Sequence, residues 1–205
     1  ISIPALSLIK LDPKFKKYLI RKDAGMTAAS VDELIDTFIE QPLLVELMKT
    51  TPIPDPKIEN VFRALRAYFL SSAKSSKNSK NYYEVQSAIA LQCFINEYVY
   101  SVSADERQRL TELKLKIAEK LENGEAPSIS EILCIASYEP LHTLNLSKKI
   151  LERPEIKEVL QVQVLNFKTE QKIKLEIPKI KEITDPVSST VRLQYEENPY
   201  PKWVN

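Results

Sequence analysis

The sequence predicts an all-α protein, an irregular multi-helix bundle or array of helix pairs. Three observations carry this. Apolar residues recur at helical spacing, as in Val31, Leu34, Ile35 and Phe38, which stand at i, i+3, i+4 and i+7. Ser-x-x-Glu boxes, the reciprocal cap of a helix N-terminus, occur at Ser30–Glu33, Ser103–Glu106 and Ser128–Glu131. Prolines follow Asp12, Gln41, Asp55 and Asp185, where the first turn of a helix accepts them.

The elements follow in order. Residues 1–10 are apolar, with Pro4, and read as an irregular or short helical segment packed on the body. Pro13 starts a helix with Phe15, Leu19 and Ile20 on one face, closed by Gly25. The Ser30–Glu33 box starts the next, and Pro42 a short one through Met48. From Pro56 runs a stripe of Ile58, Phe62, Leu65, Tyr68 and Phe69; the Ser/Lys/Asn stretch 71–81 then reads as a loop open to proteolysis. Residues 82–100 form the most apolar helix, the centre of the bundle, with Gln92, Asn96 and Glu97 buried or half-buried. A surface helix follows from Ser103 and ends at Gly124; another runs from Ser128 to before Pro140. A helix from 155 to about 166 continues with a kink to 175. The Lys-Ile alternation through 172–183 also suits one short β hairpin. Pro186 opens a last helix, which gives way to an extended segment before Pro199. The chain thus divides into an N-terminal segment 1–27, a helical bundle domain 28–184, and a linker helix with extended segment 185–205.

Composition narrows the chemistry. With 43% apolar residues in 205, the chain supports one large core or one and a half small ones. Basic residues number 29 against 28 acidic, so no basic excess marks a nucleic-acid or membrane-surface protein. No apolar run reaches the roughly 18–20 residues of a membrane span, and no signal peptide opens the chain, so a cytoplasmic location is expected. Cys93 and Cys134 sit in apolar patterns and read as free buried thiols. Two glycines in the whole chain, Gly25 and Gly124, cannot build a loop that cradles phosphates or a nucleotide cofactor. A zinc site would need the single histidine, His142, with both cysteines and a fourth ligand, and no ligand-pair spacing is present. Nothing near His142 marks a nucleophile, so it reads as a structural residue beside Pro140 and Leu141. No catalytic, metal or cofactor residue is assigned within the chain. For Asn96 and Glu97 two readings stand: hydrogen bonds to neighbouring helices or loop backbone, or the lining of a cleft that includes His142 and faces the C-terminal segment.

The last residues, Gln194-Tyr195-Glu196-Glu197-Asn198-Pro199-Tyr200-Pro201-Lys202-Trp203, concentrate prolines and aromatics in an extended segment with exposed rings. This reads as a chain cut ahead of a further domain. The segment resembles one in bacterial multidomain proteins, often carrying tetratricopeptide repeats, in which a helical region leads into a class I S-adenosylmethionine-dependent methyltransferase domain. There the segment lies just ahead of the glycine-rich cofactor loop, and Lys202 stands where arginine is usual. Ala90 to Val99 and the Tyr138-Glu139-Pro140-Leu141-His142 turn are similar to further blocks of that family, in the same order. A more distant similarity is to rickettsial protein-lysine methyltransferases. The resemblance implies a non-catalytic accessory module that positions a protein substrate or mediates self-association into a homo-oligomer. S-adenosylmethionine would be held by the downstream domain rather than by this chain. Gln194, Tyr195, Asn198, Tyr200 and Trp203 would then contact that domain or its pocket. The alternative is a free-standing helical protein-interaction module with no enzyme attached.

Overall fold

Helices begin where a side chain can accept from the first backbone N–H groups, or where proline removes one of them. The computed structural model describes residues 2–20, 27–72, 79–178 and 185–197. After α1 (Ser2–Leu11), Asp12 Oδ1 accepts from Lys14 N and Phe15 N and starts α2 (Pro13–Ile20). Asp55 Oδ1 does the same for α5 (Pro56–Ser71), accepting from Lys57 N and Ile58 N. The expected reciprocal boxes cap α7 (Ala104–Glu122) and α8 (Ile129–Ala136). The Ser30–Glu33 box is not formed. Instead α3 (Ala28–Ile39) starts earlier, capped by Thr27, because Ser30 Oγ reaches back to Thr27 N and takes the part expected of a carboxylate. Gly25, expected to end the preceding helix, lies outside the described residues, as does most of the expected 71–81 loop.

Between them, α4 (Pro42–Thr50) and α6 (Lys80–Ile95) form the most extensive helix contact. Residues 85–93 are buried without a break, so this part of α6 has no solvent face. α3, α4, α5, α8, a 3-10 turn (Pro154–Ile156) and α10 (Lys157–Leu160) all pack against it. One hydrophobic core runs from Leu6 to Val164 and takes in α1 and α2 through Leu6, Ile9, Phe15, Tyr18 and Leu19. Edge-on and tilted rings at Phe15, Phe38 and Phe62 (centroids 5.7 and 6.3 Å apart) join α2, α3 and α5.

The expected helix through Tyr100 stops at Ile95. Glu97 and Tyr98 follow in the left-handed region, φ 58° and 57°, without a glycine. Each costs roughly 1–2 kcal/mol there. Tyr98 offsets this: its N–H donates to Cys93 O (2.8 Å), its ring packs edge-on against Phe94, and its hydroxyl donates to Ala136 O (3.4 Å). The same turn carries Glu97 out to solvent, contrary to the expectation that it is at least half-buried.

The C-terminal third begins with α9 (Lys148–Leu151). Residues 157–176 then form one helix, with a π segment (Gln161–Leu165) between α10 and α11 (Asn166–Glu176). This is the physical form of the expected kink, since a π turn inserts one residue into the α-helical ladder. Lys172 to Glu176 are helical, and no strand occurs among the described residues; 179–184 lie outside them. α11 buries no side chain, and the described side chains of α12 (Pro186–Glu197) are exposed or at most half-buried. No helix among the described residues is long and apolar enough to cross a membrane.

One buried carboxylate joins α8 to α7. Glu131 accepts from Lys116 Nζ (2.6 Å), Lys120 Nζ (2.8 Å) and Ser128 N (2.8 Å). Burial alone would raise its carboxyl, but the two lysines and the backbone donor outweigh burial and hold it at about 2, against an ordinary 4.5. A folded value below the unfolded one contributes stability above pH 4.5 and loses it as pH falls through 2. Glu131→Gln is therefore expected to cost about 2 kcal/mol at pH 7, with much of that difference gone near pH 2, as measured by urea unfolding at both pH values. A pH-independent difference would contradict this assignment.

Candidate functional site

A cleft of about 740 Å³ opens between α4, α6 and the helix that starts at Lys157. That volume lies within the range of ligand sites, roughly 300–1,000 Å³. Lys80, Tyr83, Glu84 and Ser87 stand at i, i+3, i+4 and i+7 along α6 and make one wall. The opposite wall comes from the Pro154–Ile156 turn, α10 and the first residues of the π segment, Gln161 and Val162. Its lining is largely apolar, supplied by Tyr83, Pro154, Ile156 and Val162.

Lys49 of α4 joins the lining. Its Nζ lies 3.1 Å from Glu158 Oε2 and 3.3 Å from Glu46 Oε1, and only 11% of its side chain is exposed. Burial works to lower the amine, but Glu158 and then Glu46 outweigh it and hold the amine above its ordinary value. Burial and then the charge of Glu155 raise the Tyr83 phenol, against the opposing pull of Arg153. Ser87 is 7% exposed, and its Oγ has no hydrogen-bond partner among the described residues. The lining contains neither histidine nor cysteine; its polar groups are lysines, glutamates, Gln161, Ser87 and the Tyr83 phenol.

The expected cleft residues lie elsewhere. Asn96 caps the C-terminus of α6. Oriented to match its partners, its amide nitrogen donates to Cys93 O (2.7 Å) and its oxygen accepts from Tyr100 OH (3.0 Å). Its partners are thus carbonyls of its own helix and the Tyr100 side chain, rather than a neighbouring helix or loop backbone. His142 sits in a 3-10 turn (Leu141–Thr143), stacked on Phe167 with centroids 3.7 Å apart. Its Nδ1 is buried without a hydrogen-bond partner among the described residues. None of Asn96, Glu97 and His142 lines the large cleft. Cys93 and Cys134 are free and buried, and burial pushes each thiol up to about 12. Among the described residues, no group of histidine, cysteine or carboxylate side chains is placed to hold a metal.

Of the C-terminal candidates, Gln194 and Tyr195 lie on α12 and are exposed; Asn198, Tyr200 and Trp203 lie outside the described residues. Val187, Val191, Gln194 and Tyr195 share one face of α12, at i, i+4, i+7 and i+8, and the three large apolar ones are 70%, 44% and 60% exposed. Ile173 and Leu175 of α11, and Ile177 after it, are more than half exposed as well. The bundle core has ended by this point, so this apolar surface is uncovered.

Sequence reasoning missed the buried Arg66, which is 1% exposed. Its Nη2 donates to Ser101 O (2.8 Å) and pairs with Glu106 Oε1 (3.2 Å), and its guanidinium lies over the Tyr138 ring at 4.3 Å. Tyr138 OH donates to the same Glu106 oxygen (2.7 Å), so α5, α7 and the end of α8 meet in one polar knot. Only its place in the apolar stretch from Val61 to Leu70 could have marked it.

Ser87→Ala removes an unpartnered buried hydroxyl and improves helix propensity. It is expected to raise unfolding stability by roughly 0.5–1 kcal/mol in urea. A loss of similar size would show that the hydroxyl has an internal partner and does not serve the cleft.

No family model, no curated protein and no solved structure matches the chain.

Proposed function

We propose that the chain is a non-catalytic helical accessory module of a cytoplasmic S-adenosylmethionine-dependent methyltransferase. Helix α12 and the segment after it dock the catalytic domain, and the bundle positions a protein substrate or a second copy of the chain. The observation that carries this reading is the uncovered stripe of Val187, Val191 and Tyr195. It runs directly into the Gln194–Trp203 segment, whose resemblance is to the connection ahead of a methyltransferase cofactor loop. Aromatic and branched side chains on one helix face supply the apolar contact a docked domain needs, about 1.5–3 kcal/mol for each one fully buried.

The cleft between α4, α6 and α10 favours a second reading, a free-standing interaction module, since a binding cleft needs no attached enzyme.

The test uses the native gene product that contains these residues. Methyl transfer from tritiated S-adenosylmethionine to a protein is expected. Val191→Asp with Tyr195→Asp is expected to reduce it about tenfold or more, while the bundle keeps its unfolding midpoint. A native product that neither binds S-adenosylmethionine nor transfers methyl would overturn the methyltransferase reading and leave the interaction module.

A further inference from the structure

We propose that the cleft between α4, α6 and α10 binds a short peptide segment of a protein partner, anchored by bulky apolar side chains and flanked by residues of both charges. The site is separate from the α12 stripe, so it stands or falls independently of the methyltransferase reading.

Three features select this ligand class. The lining is largely apolar: Tyr83, Ile156 and Val162 border a partly open volume of about 740 Å³. That shape takes apolar side chains while the rest of the ligand continues outside. The rim carries both signs. Lys80 and Lys157 stand with Glu84 and Glu155, and none of the four is held in an ion pair among the described residues. A polyanion would meet the carboxylates and a polycation the lysines, whereas a peptide carrying both charges satisfies both. At depth, the Ser87 hydroxyl is buried, unpartnered and part of the lining. Peptide main chain entering a desolvated cleft needs hydrogen-bond partners for its N–H and C=O groups, and a hydroxyl serves either.

The site is also fixed in place. Lys49 bridges Glu46 and Glu158 and so ties α4 to α10 within the cleft lining. The α6 wall belongs to the most deeply buried helix of the bundle. A cleft with rigid walls binds with less ordering cost than one that must form around its ligand.

The experiment selects random peptides displayed on phage against the immobilised chain, then measures the winners by fluorescence anisotropy. Enriched peptides are expected to carry an aromatic or branched apolar residue with acidic and basic residues beside it. Glu155→Lys, an exposed change that spares the core, is expected to weaken them about two- to fivefold. Exchanging the peptide's basic residue for an acidic one is expected to restore the loss. Ser87→Phe, which fills the cleft, is expected to abolish binding; if that variant fails to fold by circular dichroism, Glu84→Lys takes its place, with the same two- to fivefold weakening expected. No enrichment, or winners indifferent to Glu155→Lys, Glu84→Lys and Ser87→Phe, would overturn the proposal. So would binding of the dye 8-anilinonaphthalene-1-sulfonate in the cleft with no peptide binding, which would mark a small-molecule site.

Discussion

Helix ends without glycine are the constraint on which this fold depends. Every helix leaves its last four carbonyls without intrahelical partners, and many proteins close that end with a left-handed glycine. This chain has two glycines and a succession of short helices, several of which end inside the core. Gly124, at φ 74°, ends α7, and the left-handed Glu97–Tyr98 turn ends α6. At the ends of α4 and α8 the carbonyls are met instead by long polar side chains from neighbouring helices. Oriented to match its partners, the Gln92 amide donates to Met48 O (3.2 Å) and Thr51 O (3.1 Å) at the end of α4. Gln163 donates to Ala136 O (3.1 Å) at the end of α8 and to Ala90 O (3.3 Å), and its oxygen accepts from Leu141 N (3.2 Å). Arg66 likewise meets a loop carbonyl, Ser101 O, between α6 and α7. Each such group left unpaired would cost about 1–3 kcal/mol, a large part of a domain's net stability.

From this constraint the arrangement of the surfaces follows. Because Gln92 and Gln163 tie α4 and the π segment to α6, the three walls of the cleft are held in register by buried hydrogen bonds. Gln163 lies within the π segment itself and is fully buried. Its three bonds specify where the extra residue of the π turn sits, which sets the direction in which α11 leaves the bundle. Beyond Val164 no described side chain is buried, so α11 and α12 present their apolar residues outward. The bundle and its cleft share one core, while the C-terminal helices lie beyond it and offer a separate surface.

Much of this was legible in the sequence, and the failures have physical causes. The boxes at Ser103 and Ser128 and the caps at Asp12 and Asp55 show their function in their spacing, and α6 shows its central place in its apolar content. The start of α3 was misplaced because Ser30 can serve either as a cap or as the residue that answers one, and local spacing does not distinguish the two. The end of α6 was illegible, since Glu97 and Tyr98 are residue types that rarely take left-handed dihedrals. The π segment adds one residue to a helix whose apolar spacing is already irregular. The cleft is assembled from Lys49, Ser87 and Ile156, far apart in the chain, and left one trace: a small polar residue in a helix otherwise committed to the core.

Native-state hydrogen exchange on the chain tests the central claim most directly, because it reads the free energy at which each helix opens. Amides of α6 and of the end of α8 are expected to exchange only through global unfolding, with the same denaturant dependence as the whole bundle. Amides of α12 are expected to exchange through local opening at a small fraction of that free energy. Local opening of α6 at low free energy, or protection of α12 equal to that of α6, would contradict that claim.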